Sequence, residues 1–143
     1  ISRSEIAVVN DTLRKNLHNL FNARWKAKSG DRLYTCPKDN QHKIGNGQYD
    51  KSWLAFSTKA TNDFEGVHNV AFLMNIFSSP DIKAVCKFGD VELDDDIVAL
   101  SHLVQFVFRS AIRKEDAEII NLYIPSSRMR ELFLKWLNGD YDG

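Results

Sequence analysis

Four arginines stand close together in the last third of the sequence, beside apolar segments that look like core. Arg109 and Arg113 follow the run LVQFVF, and Arg128 and Arg130 follow the run IINLYIP. A guanidinium group binds phosphate through two parallel hydrogen bonds, so this grouping is typical of a site for a phosphate-bearing ligand. The alternative is a solvated surface, where most charged side chains lie.

The first arginine pair falls on one side of a predicted helix. The apolar period and three consecutive aspartates at its start predict a helix from about Asp95 to Arg113. At about 100° per residue, Gln105, Arg109 and Arg113 share one polar arc opposite the apolar stripe. No carboxylate within the predicted helix faces them, so a bound anion would relieve their repulsion.

The second pair occupies the first turn of a predicted final helix. Ser126 or Ser127 is expected to cap this helix, which ends near Gly139. Positive charge in a first turn opposes the helix dipole, so Arg128 and Arg130 are candidates for binding an external phosphate. Pairing with nearby Glu131 or solvation is the alternative.

Length and composition indicate one globular domain with a core of its own. The chain has 143 residues, of which 43% are hydrophobic, and its formal net charge is zero. No apolar run approaches the roughly 20 residues of a membrane-spanning helix, and no signal peptide is visible, so we expect a cytoplasmic location. Because the chain begins at Ile1, we expect it to be part of a longer protein.

The zero net charge conceals a basic first half. Residues 1–59 carry 11 Lys and Arg against 5 Asp and Glu, which leaves a local excess of 11 − 5 = 6 positive charges. Such a surface either contacts a nucleic-acid backbone or is simply solvated. The candidates for nucleic-acid contact in this half are Lys15, Arg24, Lys26, Lys28 and Lys38.

Periodicity predicts an α/β domain of three layers, with a mostly parallel sheet flanked by helices. A basic amphipathic helix is expected from Asn10 or Asp11 to Gly30, and residues 36–50 are expected to form a loop. The segments RLYTC, SWLAFS, VAFLMNIF and AEIINLYIP are predicted strands, and a helix is expected to run from Ser79 towards Phe88. Strands without polar alternation are buried on both faces, and ligands of such sheets bind at the carboxyl ends of the strands.

Motifs of a self-contained enzyme are missing from the sequence. It contains neither the phosphate-binding G-x-x-x-x-G-K-[ST] motif nor a G-x-S-x-G nucleophile turn. Cys36 and Cys86 are 50 residues apart and are expected to be reduced thiols. Cys36 with His42 supplies only two of the four ligands of a tetrahedral site, so no metal is predicted.

Two segments resemble motifs of superfamily-2 DNA helicases of the phage and plasmid type. QFVFRSAIR resembles motif VI of their second, C-terminal RecA-like domain, and FSTKATNDFEGVHNVAFLMNIFSSP resembles the preceding motif V region. The resemblance spans residues 52–138. It implies a RecA-like fold and a motor domain that acts on ATP bound by an N-terminal RecA-like domain of the same protein.

The resemblance also implies roles for individual residues. Arg109 corresponds to the arginine finger, with Gln105 and Arg113 as the other candidate catalytic residues of motif VI. In the motif V turn, the residues implied to contact nucleic acid or nucleotide are Thr58, Thr61 and Asn62. ATP and Mg²⁺ would be held mainly by the upstream domain. Of the two nucleic acids, the resemblance favours DNA over RNA as the partner.

A second interpretation stays open beside the helicase. Without a phosphate-binding loop the chain is not expected to hydrolyse ATP alone. It could instead be a non-catalytic α/β module that binds nucleic acid or acts as a protein adaptor. No membrane partner is expected under either interpretation.

Overall fold

Three short parallel strands form the centre of the molecule. The computed structural model describes residues 3–28, 30–55, 66–76, 84–85, 88–89, 94–110 and 119–139. The strands β1 (Leu33–Thr35), β2 (Asn69–Phe72) and β3 (Asn121–Tyr123) lie side by side in the order β1-β2-β3. Val70 of β2 is in register with Leu33 of β1 and with Leu122 of β3. The predicted parallel sheet is confirmed.

Helices cover both faces of this sheet. On one face lies α1 (Arg3–His18), which continues as a π-helix over Asn19–Arg24, with the short helix α2 (Gln41–Gly45) against it. On the other face α3 (Asp95–Val107) packs on α4 (Ser127–Leu137). Alternation along β1 separates the two cores, because Leu33 joins the α3 and α4 side and Tyr34 the α1 and α2 side. The three-layer α/β prediction is therefore confirmed.

The two segments that follow β1 in sequence pair with opposite sides of this strand. Trp53 makes a single parallel bridge with Tyr34, and the Leu54 amide donates to the Tyr34 carbonyl at 3.0 Å. β2 pairs with β1 as well, so Trp53 and β2 lie on opposite sides of β1. In open α/β sheets the crevice at such a switch, beyond the carboxyl ends of the strands, is the usual place for a ligand.

The start of α1 differs from the prediction. Asn10 and Asp11 were expected to cap the helix, but both lie inside α1, which begins at Arg3. Asn10 is buried, while the Asp11 carboxylate pairs with Arg14 and with Lys15 at 3.1 Å. Acidic and basic side chains three and four residues apart stabilise a helix interior, so Asp11 supports the helix without capping it.

Residues 36–50 are largely helical, so the predicted loop is wrong. A 3₁₀ turn at Lys38–Asn40 leads into α2, and the buried side chain of Ile44 anchors this helix. Asn46 and Gly47 then adopt positive φ values of 53° and 75°. These left-handed residues end the helix, which explains why the segment is rich in residues that favour loops.

The end of α3 also differs from the prediction. Its start is confirmed, since the Asp94 carboxylate accepts hydrogen bonds from the amides of Asp96 and Ile97. Its predicted end at Arg113 is wrong, because the helix ends at Val107. The chain then forms a tighter turn, in which the Arg109 amide donates to the Phe106 carbonyl at 3.1 Å. Arg109 therefore lies beyond the helix on which its orientation was predicted.

Other segments end close to their predicted bounds or lie outside the described residues. Ser126 caps α4 by accepting from the Met129 amide at 3.3 Å, as predicted, and α4 ends at Leu137. Within the predicted strand SWLAFS, Trp53 forms a bridge with β1, and residues 56–57 lie outside the described residues. The predicted helix from Ser79 also lies mostly outside them.

Gly45 is required for the approach of α2 to β1. A Cβ atom at this position would stand 2.3 Å from the Tyr34 hydroxyl, whereas a Cβ on Gly66 would meet nothing within 4 Å. We expect Gly45→Ala to lower the free energy of unfolding in urea by about 1–3 kcal/mol, the usual cost of overpacking. Gly66→Ala is the matched control, with a change of about 0.5 kcal/mol or less.

A double variant tests the cause of this effect. Tyr34→Phe removes the hydroxyl, which is buried and forms no hydrogen bond within the described part of the chain. Gly45→Ala should therefore cost less in the Tyr34→Phe background than in the wild-type protein. Equal costs in both backgrounds would contradict a clash with the Tyr34 hydroxyl.

Candidate functional site

Arg128 connects three elements at the carboxyl ends of the strands. Its Nε and Nη2 atoms each lie 3.0 Å from the Asp96 carboxylate in the first turn of α3. Its Nη1 atom donates to the Asn75 side chain at 2.8 Å and to the Ile76 carbonyl at 2.7 Å, just beyond β2. One guanidinium group therefore ties the start of α4 to the start of α3 and to the end of β2.

These contacts account for a cation in the first turn of α4. The Asp96 carboxylate faces the Arg128 charge, and the Asn75 side-chain oxygen and the Ile76 carbonyl oxygen accept hydrogen bonds from the same guanidinium group. A charge-assisted pair of this kind offsets the unfavourable dipole interaction. Phosphate binding by Arg128 stays a prediction, and a phosphate there would compete with Asp96 and Asn75.

Arg130 lies on the neighbouring surface of α4 with a different set of contacts. It is exposed, its Nη1 donates to the Ile124 carbonyl at 3.2 Å, and its Nη2 donates to the Ser127 hydroxyl at 3.4 Å. No carboxylate among the described residues forms an ion pair with it, Glu131 included. Its guanidinium is anchored by neutral oxygens and keeps further N–H donors for an anion.

Arg109 lies far from Arg128. α3 starts beside Arg128 at the carboxyl ends of the strands, has 13 residues and rises about 1.5 Å per residue, so its two ends are about 20 Å apart. Arg109 follows the other end and is only 8% exposed, and Ser110 beside it is fully buried. The Ser110 hydroxyl donates to the Val107 carbonyl at 2.7 Å and closes the turn. Arg109 therefore lies at the end of α3 opposite to Arg128.

Gln105 does not share a polar face with Arg109. Gln105 is exposed on α3 and its amide donates to the Ser101 hydroxyl at 3.1 Å. Arg109 is buried beyond the helix, so the common polar arc predicted for these two residues is wrong. Arg113, the third member of that predicted arc, lies outside the described residues, and so do Thr58, Thr61 and Asn62.

A polar network that the sequence analysis did not predict joins the amino ends of the three strands. The Asp31 carboxylate lies 3.1 Å from Nδ1 of His68, and the Asp31 carbonyl accepts from the Asn69 amide group at 2.9 Å. The Asn121 side chain donates to that of Asn69 at 2.9 Å. Asp31 and His68 lie just before β1 and β2, and Asn69 and Asn121 are the first residues of β2 and β3, so only the alignment of the strands reveals the network.

Within the described part of the chain, the predicted nucleic-acid-binding residues are divided between α1 with its π-helix, the turn before β1 and the segment after β1. Lys15 is paired with Asp11, and Arg24 is exposed at the end of the π-helix. Lys26, with a φ of 50°, and Lys28 are exposed in the turn that leads to the amino end of β1. Lys38 is exposed beyond the carboxyl end of β1, so this strand separates it from Lys28.

The buried thiol is a poor nucleophile. Burial raises the pKa of Cys36 to about 11, so the thiolate is scarce at neutral pH. His42 pairs with Asp50 at 3.7 Å, and within the described ranges no three His, Cys, Asp or Glu side chains are grouped as metal ligands. Cys86 lies outside the described residues. Among the helices described, none is long and apolar enough to cross a membrane.

Comparison with known proteins places nearly the whole chain in one family. Residues 2–137 match the family described as the YonV C-terminal Rossmann-like domain. The chain is 34% identical over 131 residues to the SPbeta prophage-derived uncharacterized protein YonV of Bacillus subtilis (strain 168). That match covers 92% of this chain but 32% of the relative, so the chain spans about a third of the relative's length. No solved structure matches the chain significantly.

Removing the Arg128 side chain should loosen the carboxyl end of the sheet. Arg128→Ala leaves Asp96 and Asn75 without their shared donor, so we expect a loss of about 1.5–3 kcal/mol in the free energy of unfolding. Arg128→Lys should recover only part of it, because an ammonium group lacks the planar fork. Lys135→Ala, an exposed position on the same helix, is the control.

A double-mutant cycle with Asp96→Ala isolates the ion pair. The two single variants should be non-additive, since each removes the same contact. Additive effects in urea unfolding would show that Arg128 acts through its other contacts, such as those with Asn75 and Ile76, and not through Asp96.

Proposed function

Because the chain belongs to the family of YonV C-terminal Rossmann-like domains, we propose that it is the second, C-terminal RecA-like domain of an ATP-dependent helicase. In this proposal ATP and Mg²⁺ are held mainly by an upstream RecA-like domain of the same protein. Three features support it: the parallel three-layer fold, the motif VI resemblance, and a relative of which the chain matches about a third.

The observation that carries the proposal is the burial of Arg109. The residue that resembles the arginine finger is 8% exposed, and hydrogen bonds on both sides hold its backbone in a tight turn. Arginine is rarely this buried on an ordinary solvated surface. A guanidinium fixed in advance stabilises charge on a transferring phosphate at a lower entropic cost than a mobile one.

The other residues of the predicted site have supporting roles in this proposal. Arg109 would neutralise charge that develops on the γ-phosphate, with Gln105 and Arg113 coupling the nucleotide to the domain. The exposed cations Lys26 and Lys28 would contact the backbone of the nucleic acid, for which DNA is favoured over RNA. Other contacts would come from Lys15, Arg24, Lys38, Thr58, Thr61 and Asn62.

The alternative function is a non-catalytic module that binds nucleic acid or a protein partner. One observation favours it: Arg109 lies at the end of α3 away from Arg128, whereas ligands of open α/β sheets bind at the carboxyl ends of the strands. The absence of a G-x-x-x-x-G-K-[ST] motif from the sequence is compatible with both functions. ATP hydrolysis by the intact protein distinguishes them.

Replacing Arg109 tests the finger role. In the intact protein, Arg109→Lys should lower kcat for DNA-stimulated ATP hydrolysis by about 10³-fold or more, because an arginine finger contributes 10³–10⁵. Lysine keeps the charge at this buried position, so the fold should survive. Arg14→Lys, at a position with no proposed role beyond its ion pair with Asp11, is the matched control and should hydrolyse ATP at the wild-type rate. If Arg109→Lys, folded by its thermal unfolding curve, kept full ATPase activity, the helicase role would be wrong.

Salt dependence tests the nucleic-acid contacts. Each phosphate contact on a single strand contributes about 0.7 to the slope of log K against log salt concentration. The double variant Lys26→Gln with Lys28→Gln should therefore bind oligothymidylate with a slope smaller by about 1.4, measured by fluorescence anisotropy. Lys135→Gln serves as the control. An unchanged slope would exclude these two lysines from the interface.

A further inference from the structure

Helix α4 carries a second stripe of side chains beside the one that it buries. Its first stripe, which includes Met129 and Phe133, packs into the core. Arg130, Leu134 and Leu137 follow at intervals of four and three residues, so they share the adjacent face. Leu134 is 50% exposed and Leu137 is 54% exposed, which is unusual because a surface helix normally has polar residues outside its buried stripe.

This second stripe borders an apolar cavity between β3 and α4. The cavity has a volume of about 440 Å³, and its lining residues are Val107, Ile120, Leu122, Ile124 and Phe133 in addition to Arg130, Leu134 and Leu137. The volume is within the 300–1,000 Å³ that is common for small-ligand sites. Since α4 rises about 1.5 Å per residue, Arg130 and Leu137 lie about 10 Å apart, so the cavity is elongated.

The cavity has one cationic group, and it lies at one end. Arg130 lines the cavity near the start of α4, and its donors to Ile124 and Ser127 fix the guanidinium there. Apolar walls with a single anchored cation complement a molecule that has a hydrocarbon body and one anionic end. Arg130 is close to the positive end of the helix dipole, which also favours an anionic head group at this place.

We propose that the cavity between β3 and α4 binds a small amphiphile with a hydrocarbon body and one carboxylate or phosphate head group. The head group pairs with Arg130, and the hydrocarbon body lies along Leu134 and Leu137 over the side chains of β3. Arg109 does not line this cavity, and the variants below change only α4, so the outcome of the test is independent of the proposed ATPase role. Arg130 then serves as an anion-binding residue.

Decanoate and decyl phosphate, used below their micellar concentrations, are suitable probes. Titration calorimetry measures their affinity, and methyl NMR shifts locate them on Leu134 and Leu137. Decanol lacks the charge, and acetate lacks the hydrocarbon body. We expect both anionic probes to bind at least about tenfold more tightly than decanol, and acetate not to bind measurably. The tighter of the two probes identifies the preferred head group.

Variants separate the head-group contact from the apolar contact. Arg130→Gln should weaken decanoate about tenfold and leave decanol unchanged. Leu134→Asp should abolish binding of both, because it places a carboxylate beside Arg130 and inside the apolar wall. Lys135→Gln is the control, and thermal unfolding confirms that each variant is folded. The proposal is overturned if Arg130→Gln binds decanoate as tightly as the wild type, or if the shifts map elsewhere.

Discussion

The three strands are only three or four residues long, and this limits how much backbone pairing can stabilise the domain. Parallel pairing over so few residues provides few backbone hydrogen bonds, and parallel ladders are slightly weaker per residue than antiparallel ones. The sheet is therefore stabilised by the cores on its two faces and by polar side chains at its two ends. At the amino ends the network runs from Asp31 through Asn69 to Asn121, and at the carboxyl ends Arg128 joins two helix starts to β2. Both ties cross elements that are distant in sequence.

Two arginines in the first turn of α4 have different partners. Arg128 balances the acidic start of α3, so its charge is used within the fold. Arg130, two residues later, faces away from Asp96 and is anchored only by neutral oxygens. Both arginines were predicted from the same position in the first turn of the helix. They have different contacts because the helix turns by about 200° between them. One stabilises the domain, and the other presents its charge to a cavity.

The sequence predicted the layers of the fold better than the ends of its helices. Apolar runs such as VAFLMNIF identify strands because burial on both faces leaves no polar alternation, and Asp94 and Ser126 cap α3 and α4 as expected. The end of α3 was missed because Arg109 and Ser110 leave the helix through a turn that no glycine or proline marks. Because the predicted end of α3 was wrong, Arg109 was expected on a polar face, whereas it is buried in the structure.

The site itself was less predictable because it depends on which elements meet in space. The Asp31 network and the partners of Arg128 connect residues that are 32 to 53 positions apart, and periodicity carries no information at that range.

The position of Arg109 limits how the proposed motor could be assembled. If Arg109 contacts the γ-phosphate, the nucleotide and the domain that holds it must approach the far end of α3, about 20 Å from Arg128. The carboxyl ends of the strands would then stay free of nucleotide, with Arg128 satisfied by Asp96. Lys26 and Lys28 precede the amino end of β1, on the side of the sheet that Arg109 would offer to ATP, whereas Lys38 lies beyond the carboxyl end of β1. A nucleic-acid strand that contacted all three lysines would therefore extend from one end of the sheet to the other. The rigid helix α3, which spans both ends, would be the element that connects the two ligands.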